Sequence, residues 1–123
     1  MFDKYRVALW LDDVRPIPKN YMENNLCNRV IWCHSVNEAI EKFELFYNNK
    51  DSIIGVIDMD HDAGDYVLDG GDYINFLSWL EIKDIDFTDI VWKIHSMNPV
   101  GVKNMERILN KHGVYSIRGG INL

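Results

Sequence analysis

Cysteine is scarce in this chain. Cys27 and Cys33 are the only two, they form no CxxC pair, and without a secretion signal they read as reduced packing residues, not a bridge or a zinc site. No apolar run approaches the ~18 residues that span a bilayer. The first six residues lack the basic-then-apolar pattern of a signal peptide, so a cytoplasmic location with no membrane partner is expected. Positive charge is also short: 13 Lys and Arg against 19 Asp and Glu leave a net charge of −6. A general nucleic-acid surface is therefore not expected, because phosphate backbones require a basic face. No repeat, low-complexity tract or interdomain linker is visible. The 123 residues are expected to form one domain, residues 1–123, burying about two thirds of its unfolded surface around a single core.

What the sequence does contain is an alternation of short apolar runs with amphipathic stretches, the pattern of a parallel sheet with crossover helices. Strands are expected at Val7–Leu11, Arg29–Cys33, Ile53–Ile57 (extending towards Met59), Ile90–Ile94 and Val114–Ile117. The first is apolar at every position, as a central strand covered on both faces should be. Between strands two and three, Val36, Ala39, Ile40, Phe43 and Phe46 form a helical stripe, and Ser35 with Glu38 forms a capping box. Tyr73, Phe76, Leu77 and Leu80 repeat the stripe after strand three. Val102, Met105, Ile108 and Leu109 do so after strand four, with Gly113 placed to end that helix. The first crossover is irregular, because Pro16 and Pro18 bias the residues before them towards extended conformations. It leaves room for a short helix within Lys19–Leu26.

In an open parallel sheet, ligands bind beyond the carboxyl ends of the strands. The residues there are Asp12-Asp13, His34-Ser35, Asp58 to Asp62, His95-Ser96 and Arg118-Gly119-Gly120. Two carboxylate clusters at the ends of central strands repel each other unless something positive sits between them. Hard carboxylate oxygens favour Mg²⁺. His61 and His95 with Asp60 or Asp13 would instead suit Zn²⁺, Mn²⁺ or Fe²⁺ and activate a water against a phosphoester or amide. Alternatively, each histidine simply hydrogen-bonds a neighbouring carboxylate or carbonyl. The Asp- and Gly-rich segment 62–72 is long for a βα connection. It reads either as a mobile lid or as an exposed loop in which Asp69 or Asp72 caps the next helix. The Met97-Asn98-Pro99-Val100-Gly101 turn aims the amino end of a helix at the rim, where anions are favoured.

On these residues the chain resembles the receiver domain of bacterial response regulators over nearly its whole length. It is more closely similar to a group of small stand-alone receiver-like proteins of bacteria and phages. The stretches that carry the closer likeness are Leu11-Asp12-Asp13-Val14-Arg15-Pro16, Asp60-His61-Asp62-Ala63-Gly64 and His95-Ser96-Met97-Asn98-Pro99-Val100-Gly101, with Asn104-Met105. The resemblance implies a doubly wound α/β fold with a five-stranded parallel sheet in the order 2-1-3-4-5, a shortened first helix and no final helix. It implies a divalent cation, Mg²⁺ first, held by Asp13 and Asp60 with Asp12 in support and Asp62 completing the shell. Asp60 would accept a phosphoryl group, with Asp58 as the rival. Ser96 would bond a phosphoryl oxygen, and Arg118 stands where receivers carry lysine. Three functions follow: a signalling or binding module served by a phosphodonor or partner protein; a metal-dependent hydrolase of a phosphate-containing small molecule using Asp13, Asp60, His61 and His95; or a non-catalytic phage or host interaction protein.

Overall fold

The computed structural model describes residues 4–118. Five parallel strands, β1 (Tyr5–Leu11), β2 (Arg29–Cys33), β3 (Ser52–Met59), β4 (Val91–Ile94) and β5 (Ile117–Arg118), lie in the order β2-β1-β3-β4-β5. The helices are α1 (Tyr21–Asn24), α2 (Val36–Tyr47), α3 (Ile74–Ile82) and α4 (Pro99–Lys111), with a 3₁₀ turn at Gly64–Tyr66. The sheet order and the doubly wound α/β class are those anticipated. So is the first helix, cut to four residues behind the Pro16-Ile17-Pro18 segment. No helix among the described residues is long and apolar enough to cross a membrane. The expected absence of a final helix falls on residues 119–123, outside those described.

The period-two alternation of the strands divides the core. Val7, Leu9, Leu11, Ile57, Met59, Trp92 and Ile94 face α2, α3 and α4 and form the main core with Phe43, Phe76, Leu80 and Leu109. Ala8, Trp10 and Val56 face the other way and pack with Tyr21 beneath α1. Cys33 is buried and Cys27 half-buried, both as free thiols, and burial pushes the Cys33 thiol up.

One strand needs correction. Val114 was expected to open β5, but β5 begins at Ile117. The Gly113 amide donates to the Asn110 carbonyl at 3.0 Å and the Val114 amide to the Leu109 carbonyl at 3.1 Å. With Gly113 at φ 80°, this is a Schellman ending of α4, whose apolar residue packs back on the helix it terminates. Val114 is apolar for that reason.

Candidate functional site

The sheet's hydrogen-bond ladder runs one residue past several strands and fixes the rim. Asp12 donates its amide to the Cys33 carbonyl (3.2 Å), Asp60 to Leu11 (2.9 Å) and His95 to Met59 (2.9 Å). Side chains on three neighbouring strands thus emerge at one level.

Asp12, Asp13 and Asp60 converge there, each offering an oxygen within 4.8 Å of the others. Their surroundings differ. Asp12 is fully buried. Its Oδ1 accepts the amides of Val14 (2.9 Å) and Arg15 (2.6 Å), and its Oδ2 faces His95 Nε2 (2.9 Å) with the Arg15 guanidinium at 3.6 Å. Burial alone would raise its carboxyl, but the bonds from His95 and the two amides outweigh it and hold the group below the usual range. Asp13 is half-buried and pushed up, first by burial and then by the charges of Asp12 and Asp60. Asp60 accepts the His61 amide at 2.7 Å. This donor set of hard oxygens carries negative charge that is only partly compensated, and it suits a divalent cation such as Mg²⁺. Asp13 and Asp60 have oxygens to give, while both oxygens of Asp12 are engaged, which makes it an orienting group. Gly64 leaves room for the Asp13 carboxylate. It sits at φ 55°, and a β-carbon there would overlap the Asp13 carboxylate.

His95 lies beneath the rim, on the α1 face. Its Nδ1 meets Asp58 Oδ1 at 2.7 Å, its Nε2 meets Asp12, and its ring stacks on Trp10 at 3.9 Å and 4°. Asp58 in turn accepts the Tyr21 hydroxyl at 2.6 Å. Burial opposes a charge on the ring, but the bonds and fields of the two carboxylates outweigh it, so the His95 imidazole is held above its ordinary range. Burial and the Asp58 charge push the Tyr21 hydroxyl far up. The pairing of His61 with His95 around one ion is therefore corrected: both His95 nitrogens are taken. Asp58, considered as a rival acceptor, is buried inside this chain of contacts.

His61 occupies another place. Its Nδ1 faces Asp62 Oδ1 at 2.7 Å, and its ring lies so close on Gly101, in the first turn of α4, that a β-carbon there would overlap it. Asn98 caps that helix by accepting the Gly101 amide at 3.0 Å and turns its own amide towards Asp62 at 3.3 Å. The Asp62 carboxylate is exposed and gathers with His61 and Asp72, apart from the Asp12, Asp13 and Asp60 group. Ser96 is buried, its Oγ accepting the Asn98 amide at 3.0 Å while keeping its own proton to donate. Arg118 donates to the Ser96 carbonyl at 3.2 Å.

Segment 62–72 is tied down rather than free. Asp72 accepts the Ala63 amide (2.9 Å), Asp69 accepts the Ser35 hydroxyl (2.6 Å) and the Asn37 amide group (3.0 Å), and the Tyr73 amide bonds the His61 carbonyl (2.9 Å). Neither aspartate caps α3, whose N-cap Tyr73 receives no side-chain bond. Sequence reasoning missed Tyr21, Trp10 and the structural use of Asp58. The one available signal was Asp58 itself, a charge inside an apolar strand opposite Trp10, which needs a buried partner.

A family model described as the cyclic-phosphate processing receiver domain matches residues 7–111. No curated protein and no solved structure matches the chain significantly.

Proposed function

The chain belongs to the cyclic-phosphate processing receiver-domain family, and from that premise we propose that it opens a cyclic phosphodiester at the Asp13–Asp60 rim in a cytoplasmic setting. The observation that carries the reading is the convergence of Asp12, Asp13 and Asp60, with the backbone amide of His61 bonded to Asp60 and the His61 ring packed on the first turn of α4. In the reaction a water oxygen bonds to phosphorus, one ring P–O ester bond breaks, and the departing alkoxide takes up a proton to leave a phosphomonoester. Asp13 and Asp60 would hold Mg²⁺ or Mn²⁺, which supplies positive charge to the phosphoryl oxygens. Asp12 fixes the geometry of that pair. The Ser96 hydroxyl and the amino end of α4 bond the non-bridging oxygens, and Arg118 lends positive charge from the edge. With Asp62 at Nδ1, His61 has Nε2 free to pass a proton between water and leaving group.

The test is ³¹P NMR of the purified chain with a panel of five- and six-membered cyclic phosphodiesters and Mg²⁺ or Mn²⁺. The reading requires conversion to monoester, lost in Asp60→Asn and strongly reduced in His61→Ala. Conversion indifferent to both variants would remove the site from the reaction.

A second reading has one observation behind it: Asp60 directly follows β3 with a half-buried carboxylate beside Asp12 and Asp13, the position of a phosphoryl acceptor. Acetyl phosphate with Mg²⁺ then yields an acyl-phosphate adduct on Asp60, and no adduct on the intact protein rejects that reading.

A further inference from the structure

Beside the acidic rim an open cavity of about 660 Å³ lies between the start of α2 and the turn after β3. Two aromatic rings shape it. His34 stacks on the Trp32 indole at 4.5 Å and 20°, and the half-exposed Tyr66 ring stands 5.6 Å from His34, tilted by 44°. Short links join the cavity to the rim. The Trp32 indole N–H donates to the Asp12 carbonyl at 2.7 Å, and Tyr66 follows two residues after Gly64, which packs on the Asp13 carboxylate.

The polar lining is one-sided: Asn37, Glu38, Glu41 and Asp69 line the cavity, and no Lys or Arg does. Asp69 is satisfied by Ser35 and Asn37, and one Glu38 oxygen accepts the His34 amide at 2.7 Å. One Asn37 N–H is spent on Asp69, so its second N–H, its carbonyl oxygen, the second Glu38 oxygen and the Glu41 carboxylate remain. Apart from that one N–H, all of these accept hydrogen bonds. An anionic group is repelled here, and a planar ring with several N–H donors is favoured by stacking and by the carboxylates together.

We propose that this cavity binds the heteroaromatic base of the substrate and prefers guanine, whose N1–H and amino group lie on one edge and match a carboxylate. The substrate is then a guanine nucleoside cyclic phosphate, its phosphoryl group at Asp13 and Asp60 and its base stacked on the open face of the half-exposed Tyr66 ring, with the acceptors of α2 at its edge. This inference rests on the cyclic-phosphodiester reading for its phosphoryl end only.

The test uses guanosine and uridine, which carry no phosphate, with the intact chain in EDTA. Amide shifts in ¹H–¹⁵N spectra locate and titrate binding. Guanosine should shift residues 34–41 and 64–69 and bind at least tenfold more tightly than uridine. Tyr66→Ala, a change to a half-exposed ring, should weaken guanosine roughly tenfold, as loss of one stacking platform does. Glu41→Gln, on the exposed face of α2, should narrow the guanosine-to-uridine ratio. No shift in these segments, equal affinity for the two nucleosides, or affinity untouched by both variants would overturn the proposal. Because metal and phosphate are absent, guanosine binding without turnover supports the cavity and rejects the reaction. Turnover without guanosine binding does the reverse.

Discussion

His95 is squeezed between two carboxylates and a Trp10 ring, with almost no water in reach. Removing one member of such a group strands the others. His95→Leu removes the imidazole that two buried carboxylates share, leaving Asp58 only the Tyr21 hydroxyl and Asp12 its two amides and the Arg15 guanidinium, and is expected to cost about 3–5 kcal/mol in urea denaturation. The pH dependence has a definite sign. Because the folded-state pKa of His95 is raised, its contribution is fully present below ~6.5 and is lost as pH climbs through the raised value. Because the folded-state pKa of Asp12 is lowered, its contribution is present above ~3.9 and is lost as pH falls through the lowered value. Stability from this group should therefore be greatest between about pH 4 and 6.5. The urea midpoint of the wild type should fall on the alkaline side, and that limb should flatten in His95→Gln. An alkaline limb unchanged in the variant would remove His95 as its cause.

Among the elements, α2 was the most legible. Its stripe, its Ser35 cap and its start at Val36 follow from side chains adjacent in sequence. The Ser35 hydroxyl accepts the Glu38 amide, while the returning Glu38 carboxylate reaches the His34 amide one residue before the usual partner. Ser35→Ala should lower stability by about 1 kcal/mol, with some further loss from the Asp69 bond, measurable as a shift in thermal midpoint. The first turn of α4 offers a sharper separation of roles. Gly101→Ala suits a helix by up to ~1 kcal/mol, yet its β-carbon would overlap His61. Folding stability should stay near the wild-type value while cyclic-phosphodiester turnover falls. Equal turnover would show that the His61 placement is immaterial. Local patterns failed where the cause was distant or of another kind. Val114 is apolar because it closes a Schellman motif, and Asp69 is tied to α2, thirty-four residues away from its partner Ser35.

For the molecule as a whole, uneven coverage of the sheet explains where its charges sit. Three helices cover one face, and on the other the described chain supplies only the proline-containing loop and four-residue α1. Under this thin layer run Tyr21, Asp58, His95 and Asp12, a polar chain from the second core up to the rim. The strand order and the gathering of Asp12, Asp13 and Asp60 were legible because strand ends in a parallel sheet fall on one edge. The separation of His61 from His95 was not, since both follow neighbouring strands and only side-chain direction tells them apart. The central claim is that Asp13 and Asp60 jointly hold a divalent cation. An electron paramagnetic resonance titration with Mn²⁺ tests it most directly, on the wild type and on Asp13→Asn, Asp60→Asn and Asp62→Asn. The account predicts a single bound Mn²⁺ per chain, affinity reduced at least ~10-fold in the first two variants, a loss as large as removal of a supporting group alone can cause, and affinity kept in Asp62→Asn. No bound Mn²⁺, or binding that survives both Asp13→Asn and Asp60→Asn, would contradict it.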